Sequence, residues 1–464
     1  MRVEKDLLGE VTLTDDVYYG AHTARALENF KLSGTLVHPK LIAAMALVKK
    51  AAAEVNGELN FLPQNIAEAI TVAADEVLAG RWQEQFVVDA LQGGAGTSTN
   101  MNINEVLAAR ANELLVGTKQ GPVHSLDHVN CHQSTNDVFP TALRIAAVWL
   151  LKPLSEACAQ LQDAFQAKEK EFAGIIKVGR TEMQDALPIT LGQEFSAYAQ
   201  AIARDRWRLY KVEERLRQTN LGGTAIGTGL NAEKKYIFSI TERVRRYANI
   251  GLARAENMID VTQNADVFVE VSGLLKALAV NLSKVANDLR LMSSGPRSGL
   301  GEISLPERQA GSSIMPGKVN PVIPEAVNQV AFHVMASDMA ITLAAQSGQL
   351  ELNAFLPLIA QHLLGSIEVL TNCVQMFTSK CVNGISANIE RCEELVKASL
   401  IEVTALVPHI GYDQATRVAK LCYLHNVTVR EVVLELKLLT AEALADILNP
   451  NSLTRPGISG KHLK

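Results

Sequence analysis

The chain has 464 residues, of which 48% are hydrophobic and 20% charged, and its formal net charge is −5. This composition supports a large buried core and excludes an intrinsically disordered protein. The absence of basic runs excludes a nucleic-acid footprint and a polybasic membrane anchor. The charged start, the lack of an uninterrupted apolar span and the six scattered cysteines indicate a cytoplasmic protein with free thiols and no membrane partner.

Residues 1–136 are predicted to form a mixed, mostly helical N-terminal domain. Helical periodicity runs through residues 41–55 and 66–79, and glycine-rich loops follow these segments. Two short alternating segments, 11–13 and 17–19, are the strand candidates.

Residues 137–391 are predicted to form a central bundle of long helices. No proline occurs between Pro188 and Pro296, and proline is excluded from helix interiors because it lacks a backbone donor and clashes with the preceding turn. Within this stretch, apolar residues recur at alternating spacings of four and three, which is typical of a helix packed against near-parallel neighbours. These residues are Val271, Leu275, Leu278, Leu282, Val285 and Leu289.

Two further long helices are predicted in the same region. One covers residues 139–170 and is interrupted at Pro153, and the other covers residues 324–353. Residues 392–464 are predicted to form a small C-terminal helical domain. The expected fold class is therefore mainly α, with a central bundle of long helices.

The outer faces of this bundle need a cover. Alanine-rich segments such as residues 335–345 carry too few charges to face water on all sides. A bundle formed by several subunits would bury them, so we expect a closed, symmetric homotetramer. A large monomeric core is the alternative.

Four polar segments interrupt the apolar pattern at predicted helix ends. Hydroxyl and amide side chains of this kind often only cap helices. Four such segments in so apolar a chain predict instead a polar pocket with uncharged donors for an anionic ligand. They are Gly93-Gly-Ala-Gly-Thr-Ser-Thr-Asn-Met-Asn102, His132-Gln-Ser-Thr-Asn-Asp137, Gly179-Arg-Thr-Glu-Met-Gln-Asp185 and Gly311-Ser-Ser-Ile-Met-Pro-Gly-Lys-Val-Asn-Pro321.

The fourth segment has three features that fit carboxylate chemistry. Lys318 and Asn320 supply a cation and an amide donor, a pair suited to fixing one carboxylate. Backbone N–H groups near Ser312 and Ser313 can hold a developing oxyanion. Glycines before and within the segment indicate a mobile loop, as in an active-site lid.

This segment resembles the signature of the aspartase/fumarase superfamily. The other three segments match further regions of that superfamily in order and spacing, across essentially the whole chain. The resemblance is closest to the aspartate ammonia-lyases and implies a mainly α, three-domain subunit. It depends on Gly222-Gly-Thr-Ala-Ile-Gly-Thr-Gly-Leu-Asn231, Leu305-Pro-Glu-Arg-Gln-Ala-Gly311 and Val322-Ile-Pro-Glu-Ala-Val-Asn-Gln329.

The resemblance implies an ammonia-lyase that converts L-aspartate to fumarate by anti elimination through an aci-carboxylate intermediate. In that interpretation Ser312 matches the general base, while Lys318 and Asn320 match binders of a carboxylate. The positions that match substrate contacts are Thr97, Ser98, Ser134, Thr135, Asn136, Thr181, Glu182 and Ser313. The resemblance implies no cofactor and no metal, a small amino-acid substrate, and active sites shared among three subunits of a homotetramer.

Three positions depart from the superfamily pattern. Glu182 stands where histidine, or in some aspartases glutamine, is usual, and His132 stands where serine is frequent. Leu356 replaces a charged residue. These three positions and Glu325 are the candidate determinants of specificity.

Glu182 leaves three alternatives open, because a carboxylate repels substrate carboxylates unless it is protonated or paired. A protonated Glu182 would imitate glutamine and keep aspartase activity, and His132 would restore an imidazole if it paired with Glu182. In the third alternative the substrate carries a cationic or N–H-bearing group, as in ergothionase-like members that release trimethylamine from a betaine. Fumarase activity and a catalytically silent scaffold are the remaining alternatives.

Overall fold

The computed structural model describes residues 1–117 and 121–460, and 62% of the structure is helical, which confirms the mainly α fold class. The α-helices are α1 (Ala21–Asn29), α2 (Pro39–Glu58), α3 (Gln64–Leu78), α4 (Thr97–Leu114), α5 (Thr135–Glu171), α6 (Leu191–Val212), α7 (Lys234–Ala248), α8 (Met258–Gln263), α9 (Asp266–Met292), α10 (Val322–Gln346), α11 (Leu356–Lys380), α12 (Ile389–Ala398), α13 (Val403–Ile410), α14 (Tyr412–His425), α15 (Val429–Glu435), α16 (Ala441–Ile447) and α17 (Pro450–Leu453).

The strands form short two-stranded pairs. They are β1 (Arg2–Asp6) with β2 (Gly9–Leu13), β3 (Ile176–Thr181) with β4 (Gln184–Thr190), β5 (Gln218–Thr219) with β6 (Ala253–Arg254), and β7 (Ile303–Ser304) with β8 (Ser386–Ala387). The β5–β6 pair is parallel and the other three are antiparallel.

One of the two strand predictions is correct. Residues 11–13 lie in β2, but the prediction of a strand at residues 17–19 is wrong. The carbonyls of Val17 and Tyr19 accept hydrogen bonds from the Arg2 guanidinium, at 2.6 and 2.7 Å, in place of a strand partner.

The long helices follow the predicted pattern with shifted ends. The six apolar residues predicted as the packing face of α9 are all at most 2% exposed. Pro153 lies within α5 and does not interrupt it. Helix α10 ends at Gln346, before the predicted residue 353, because the Asn353 amide donates to the carbonyls of Ala344 and Ala345.

The chain divides into two compact units. Unit 1 consists of Met1–Glu156, Asp205–Val280 and Val330–Asn372, and unit 2 of Ala157–Arg204, Asn281–Gln329 and Cys373–Lys464. This division does not test the predicted three domains at 1–136, 137–391 and 392–464, which stay a prediction.

Among the described residues, α5 is the one helix that is long and apolar enough to cross a membrane by length and composition alone. Its most apolar 18-residue window has a mean hydropathy of 1.2, and 78% of that window is buried within the protein. Because the core helix of a globular protein meets the same criterion, α5 is weak support for a membrane span.

The last helices pack around an apolar cluster of their own in unit 2. Its buried members are Leu406, Val418, Cys422, Val429, Val432, Val433, Leu444, Ile447 and Leu448. Helix α15 begins with a capping box, in which Thr428 and Glu431 each accept a hydrogen bond from the other's backbone N–H. This cluster gives the C-terminal region a local core.

Replacing a leucine of this cluster tests its contribution. Leu444 is fully buried, so Leu444→Ala should cost about 2–5 kcal/mol through lost burial and a residual cavity. Leu424 is 73% exposed on α14, and Leu424→Ala should change stability by less than about 0.5 kcal/mol. Calorimetric unfolding of both variants measures the difference, and equal effects would contradict the packing described.

Candidate active site

The first candidate segment places Thr97 and Ser98 at the start of α4. Gly96 precedes them with a φ of 95°, and a Cβ there would lie 2.3 Å from the Phe139 ring. Glycine is therefore required at this point, both for conformation and for space. The Thr97 hydroxyl donates to the Gly94 carbonyl at 2.7 Å, and Ser98 is 4% exposed.

The second candidate segment, residues 132–137, runs into the first turn of α5, and its last residue, Asp137, fixes residues 134–136. One carboxylate oxygen of Asp137 accepts the Ser134 N–H at 3.0 Å. The other accepts the N–H groups of Gly222 and Thr224 at 3.1 and 3.0 Å. The Asn136 side chain donates to the Ala225 carbonyl at 2.8 Å. Asp137 therefore ties the 134–136 segment to the segment beginning at Gly222.

A buried amide links α4 to the same segment. The side-chain oxygen of Asn130, Oδ1, accepts three hydrogen bonds, from Lys49 Nζ at 2.9 Å and from the side-chain amides of Asn100 and Asn104 at 3.1 Å each. The Asn130 amide donates to the Gln133 carbonyl at 3.1 Å. Because Asn100 and Asn104 belong to α4, the helix that carries Thr97 and the 134–136 segment share one support in unit 1.

Lys49 and Asp137 are both fully buried within unit 1. Burial lowers the pKa of Lys49 to about 7, against the opposing effect of Asp137. Burial raises the pKa of Asp137 to about 7, although backbone N–H groups and Lys49 act in the opposite direction. No sequence motif singled out either residue for a role. The available signal was a lysine on the apolar face of α2, one turn after the buried Met45.

His132 is held by its own unit. It has a φ of 60°, and its Nδ1 lies 2.7 Å from the Asn56 side-chain oxygen. Its ring contacts those of Phe61 and Tyr236, with centroids 4.5 and 5.1 Å away. Burial lowers the pKa of His132, which favours the neutral imidazole. His132 belongs to unit 1 and Glu182 to unit 2, so the pairing of the two stays a prediction.

Leu356, the other candidate specificity position in unit 1, is the first residue of α11 and is 3% exposed. Its side chain is therefore part of the core of unit 1.

The third candidate segment is a β-hairpin turn in unit 2. Thr181 pairs with Gln184, and the two residues between them, Glu182 and Met183, have φ values of 52° and 62°. Positive φ at both central positions is the geometry of a two-residue hairpin turn that normally favours Asn and Gly. Non-glycine residues in this conformation are uncommon and cluster at functional sites. The turn presents Thr181 and Glu182 as exposed side chains.

The fourth candidate segment closes on itself in unit 2. The Gly311 N–H donates to the Lys318 carbonyl, and the Asn320 amide donates to the Gly311 carbonyl, both at 2.8 Å. Inside this loop, the Ser312 hydroxyl oxygen accepts the backbone N–H groups of Ile314 and Met315 at 3.2 and 3.0 Å. Two backbone donors directed at a serine oxygen stabilise negative charge on it.

The remaining members of this set lie around the same loop. Ser313 and Lys318 are exposed, and Asn320 is half-buried. Glu325 lies in the first turn of α10, with its carboxylate 3.9 Å from the Arg290 guanidinium. The loop therefore combines a stabilised serine oxygen, an exposed ammonium group and an amide, a set able to remove a proton and bind a carboxylate.

The candidate residues thus form two sets, one in each unit. Unit 1 holds Thr97, Ser98, His132, Ser134, Thr135, Asn136 and Leu356, and unit 2 holds Thr181, Glu182, Ser312, Ser313, Lys318, Asn320 and Glu325. Over residues 1–117 and 121–460, the structure contains no group of three or more His, Cys, Asp or Glu side chains suited to a metal ion.

Comparison with known proteins places this geometry in a family. The sequence matches the lyase family over residues 9–336 and the fumarase C C-terminus over residues 403–455. An aspartate ammonia-lyase from a Bacillus species is 50% identical over 99% of each chain.

Solved structures agree with this assignment. The cobalt-bound crystal structure of fumarate lyase:delta crystallin from Brucella melitensis is 49% identical, with a TM-score of 0.94 over 98% of this chain and 100% of that one. The class II fumarase from Schistosoma mansoni is 35% identical, with a TM-score of 0.95 over 98% of this chain and 99% of that one. The chain therefore belongs to the fumarate lyase superfamily and is aspartate ammonia-lyase-like within it.

Proposed function

We propose that the protein eliminates ammonia from L-aspartate to give fumarate. The observation that carries this proposal is the Ser312 hydroxyl oxygen, which accepts two backbone N–H groups inside a loop that also carries Lys318 and Asn320. The 50% identity to an aspartate ammonia-lyase over nearly the whole chain supports the choice of substrate.

In the proposed reaction, Ser312 acts in its deprotonated, alkoxide form and takes a proton from the carbon next to the carboxylate that Lys318 and Asn320 bind, which converts the serine to its hydroxyl form. The electron pair moves into that carboxylate to give the aci-carboxylate, and its return forms the double bond as the C–N bond breaks and ammonia leaves. The Ile314 and Met315 N–H groups lower the cost of charge on the serine oxygen. The amino group and the second carboxylate are assigned to the polar side chains Thr97, Ser98, Ser134, Thr135, Asn136, Thr181 and Ser313.

The two sets of residues are proposed to meet in a homotetramer, with each active site built from three subunits. Helix α10 carries exposed apolar residues at spacings of four, three and four, namely Phe332, Ala336, Met339 and Leu343. Exposing such an apolar face to water is energetically unfavourable, and the face matches the packing surface of a helix in a multi-subunit bundle.

A second candidate is a related carbon–nitrogen lyase that releases an amine from another amino acid or a betaine. Glu182 favours it, because this carboxylate is exposed at the hairpin turn and forms no salt bridge among the described residues. An unpaired carboxylate suits a substrate with a cationic or N–H-bearing group at that position. Retention of Ser312, Lys318, Asn320, Thr97 and Asn136 together argues against a silent scaffold.

A direct assay separates these candidates. Purified protein given millimolar L-aspartate should produce an ultraviolet absorbance increase as fumarate forms. A panel of aspartate analogues, malate, argininosuccinate and histidine-derived betaines identifies the preferred substrate. No reaction with aspartate, together with turnover of argininosuccinate, a betaine or another amine-releasing member of the panel, would support the second candidate, whereas turnover of malate alone would indicate a fumarase.

Ser312→Ala tests the proposed base. Removal of a general base lowers the rate by roughly 10²–10⁴-fold, and the variant should keep the wild-type elution volume because the loop is closed by Gly311 and Asn320. Ser386→Ala, on an exposed residue of β8, serves as the control and should retain full activity. Steady-state turnover of the Ser312 variant at the wild-type rate would contradict the assignment.

Glu182→Gln tests whether Glu182 opposes a dianionic substrate. Removing the negative charge should lower KM for aspartate and leave kcat nearly unchanged, since less repulsion favours ground-state and transition-state binding alike. Asp413→Asn removes an exposed carboxylate on α14, away from the hairpin in the sequence, and should leave KM unchanged. If Glu182→Gln abolishes turnover, then Glu182 has a direct role that the repulsion argument does not include.

Met339→Asp tests the proposed subunit interface. A carboxylate in the middle of the exposed α10 face should dissociate the oligomer, because an unpaired charge is costly in an apolar interface. Light scattering coupled to size-exclusion chromatography gives the molecular mass. Leu424→Asp, on α14, is the control, and an unchanged tetramer mass for the Met339 variant would argue against this face as the interface.

A further inference from the structure

We propose that Glu302 is a positioning residue, which holds the turn carrying Thr181 and Glu182 in a fixed place beside the strand that leads into the Ser312 loop. The inference rests on the proposed function for its kinetic consequences. Its structural basis lies entirely within unit 2.

Glu302 is the central carboxylate of a buried charged cluster. It is 0% exposed, and one of its oxygens accepts a hydrogen bond from Arg180 Nη1 at 2.8 Å. Its other oxygen lies 3.1 Å from Lys177 Nζ, which also lies 2.8 Å from Glu194. The cluster thus balances two cations with two carboxylates, and both cations belong to β3.

The backbone of Glu302 is fixed independently of this cluster. Its N–H donates to the Met292 carbonyl at the end of α9, and its carbonyl accepts the Asn388 N–H, both at 2.9 Å. The two residues that follow form β7, which pairs with β8. Glu302 is therefore a firm anchor just before the segment that runs to Ser312.

Arg180 connects Glu302 to the turn through its hydrogen bond with the Glu302 carboxylate. It directly precedes Thr181, and the register of the hairpin shifts between Val178 and Arg180. Such an irregularity redirects a side chain, here the guanidinium that reaches Glu302. Since Thr181 and Glu182 are exposed, their own side chains give the turn little support. The Glu302–Arg180 contact then decides where the two substrate-facing residues stand.

Glu194 provides a matched control inside the same cluster. It is a partly buried carboxylate, and its salt bridge among the described residues is with Lys177, at the base of the hairpin. Burial raises the pKa of Glu194, because it penalises the charged form of this carboxyl group. Both Glu302→Gln and Glu194→Gln remove one carboxylate from the cluster, but only the first removes the buried carboxylate that accepts a hydrogen bond from Arg180 at 2.8 Å; the exposed Asp185, 3.9 Å from Arg180, is unchanged in both variants.

Amide hydrogen exchange of the hairpin turn tests the role of Glu302 without any substrate. The peptide covering residues 178–187 should exchange faster in Glu302→Gln than in the wild type, because the turn loses its anchor. The same peptide in Glu194→Gln should stay close to wild type. Equal exchange in the two variants, or no acceleration in Glu302→Gln, would overturn the inference.

Kinetics separate positioning from general stability. Glu302→Gln should lower kcat/KM for the preferred substrate by on the order of 10²-fold, the scale of a small misplacement of a contacting group, with most of the loss in KM. Glu194→Gln should keep KM. If the pair acts as one unit, the double variant Arg180→Met, Glu302→Gln should be no worse than Arg180→Met alone. Additive losses, or an equal rise in KM in both glutamine variants, would contradict the proposal.

Two further controls keep the outcomes distinct. If Glu302→Gln does not fold, Glu302→Asp keeps the charge but shortens the reach, and it should accelerate exchange at the turn while the fold persists. Normal exchange in that variant would count against the inference. If the wild type has no activity toward aspartate, the proposed function fails while the exchange experiment still decides the role of Glu302.

Discussion

Asp137 is fully buried, and its carboxylate accepts three backbone N–H groups that would otherwise lack partners. An unpaired buried donor or charge is costly, so the segments that supply these donors cannot move apart freely. Lys49 on α2 acts against the rise in the pKa of Asp137 that burial causes, and the Asn130 side-chain oxygen accepts hydrogen bonds from Lys49 and from Asn100 and Asn104 of α4. The positions of the polar segments in unit 1 therefore depend on one buried polar network.

In unit 2 the candidate segments are held in place by a different set of charged groups. Glu302 holds Arg180 and Lys177 beneath the hairpin turn, while the Ser312 loop is closed by its own backbone and the Asn320 amide. In unit 1 the buried Asp137 carboxylate fixes the uncharged polar segments, and in unit 2 the buried Glu302 carboxylate contacts Arg180, next to the exposed hairpin turn. This arrangement agrees with elimination from an anionic substrate, where donors must be fixed before negative charge develops.

The sequence predicted the features that depend on local patterns. The apolar periodicity of α9 and the absence of proline around it predicted a helix with a buried face. The four polar segments were recognisable as candidate site segments because the rest of the chain is apolar. The left-handed turn at Glu182 was not predictable, because Glu182 and Met183 are not the Asn and Gly that normally mark such a turn. The pairing of His132 with Asn56 was not predictable, because the two residues are 76 positions apart in the chain. The roles of Lys49, Asp137 and Glu302 were missed for the same reason, since a buried charge is recognised only beside its partner.

We propose that the two sets of residues bind one substrate between subunits, with Ser312 facing the proton that is removed. A crystal structure of the assembled protein with a non-reactive dicarboxylate analogue tests this most directly. We expect the analogue to lie between the Ser312 loop of one subunit and the 134–136 segment of another, with one carboxylate on Lys318 and Asn320. An analogue bound away from Ser312, or a Ser312 hydroxyl directed away from the substrate carbon, would contradict it.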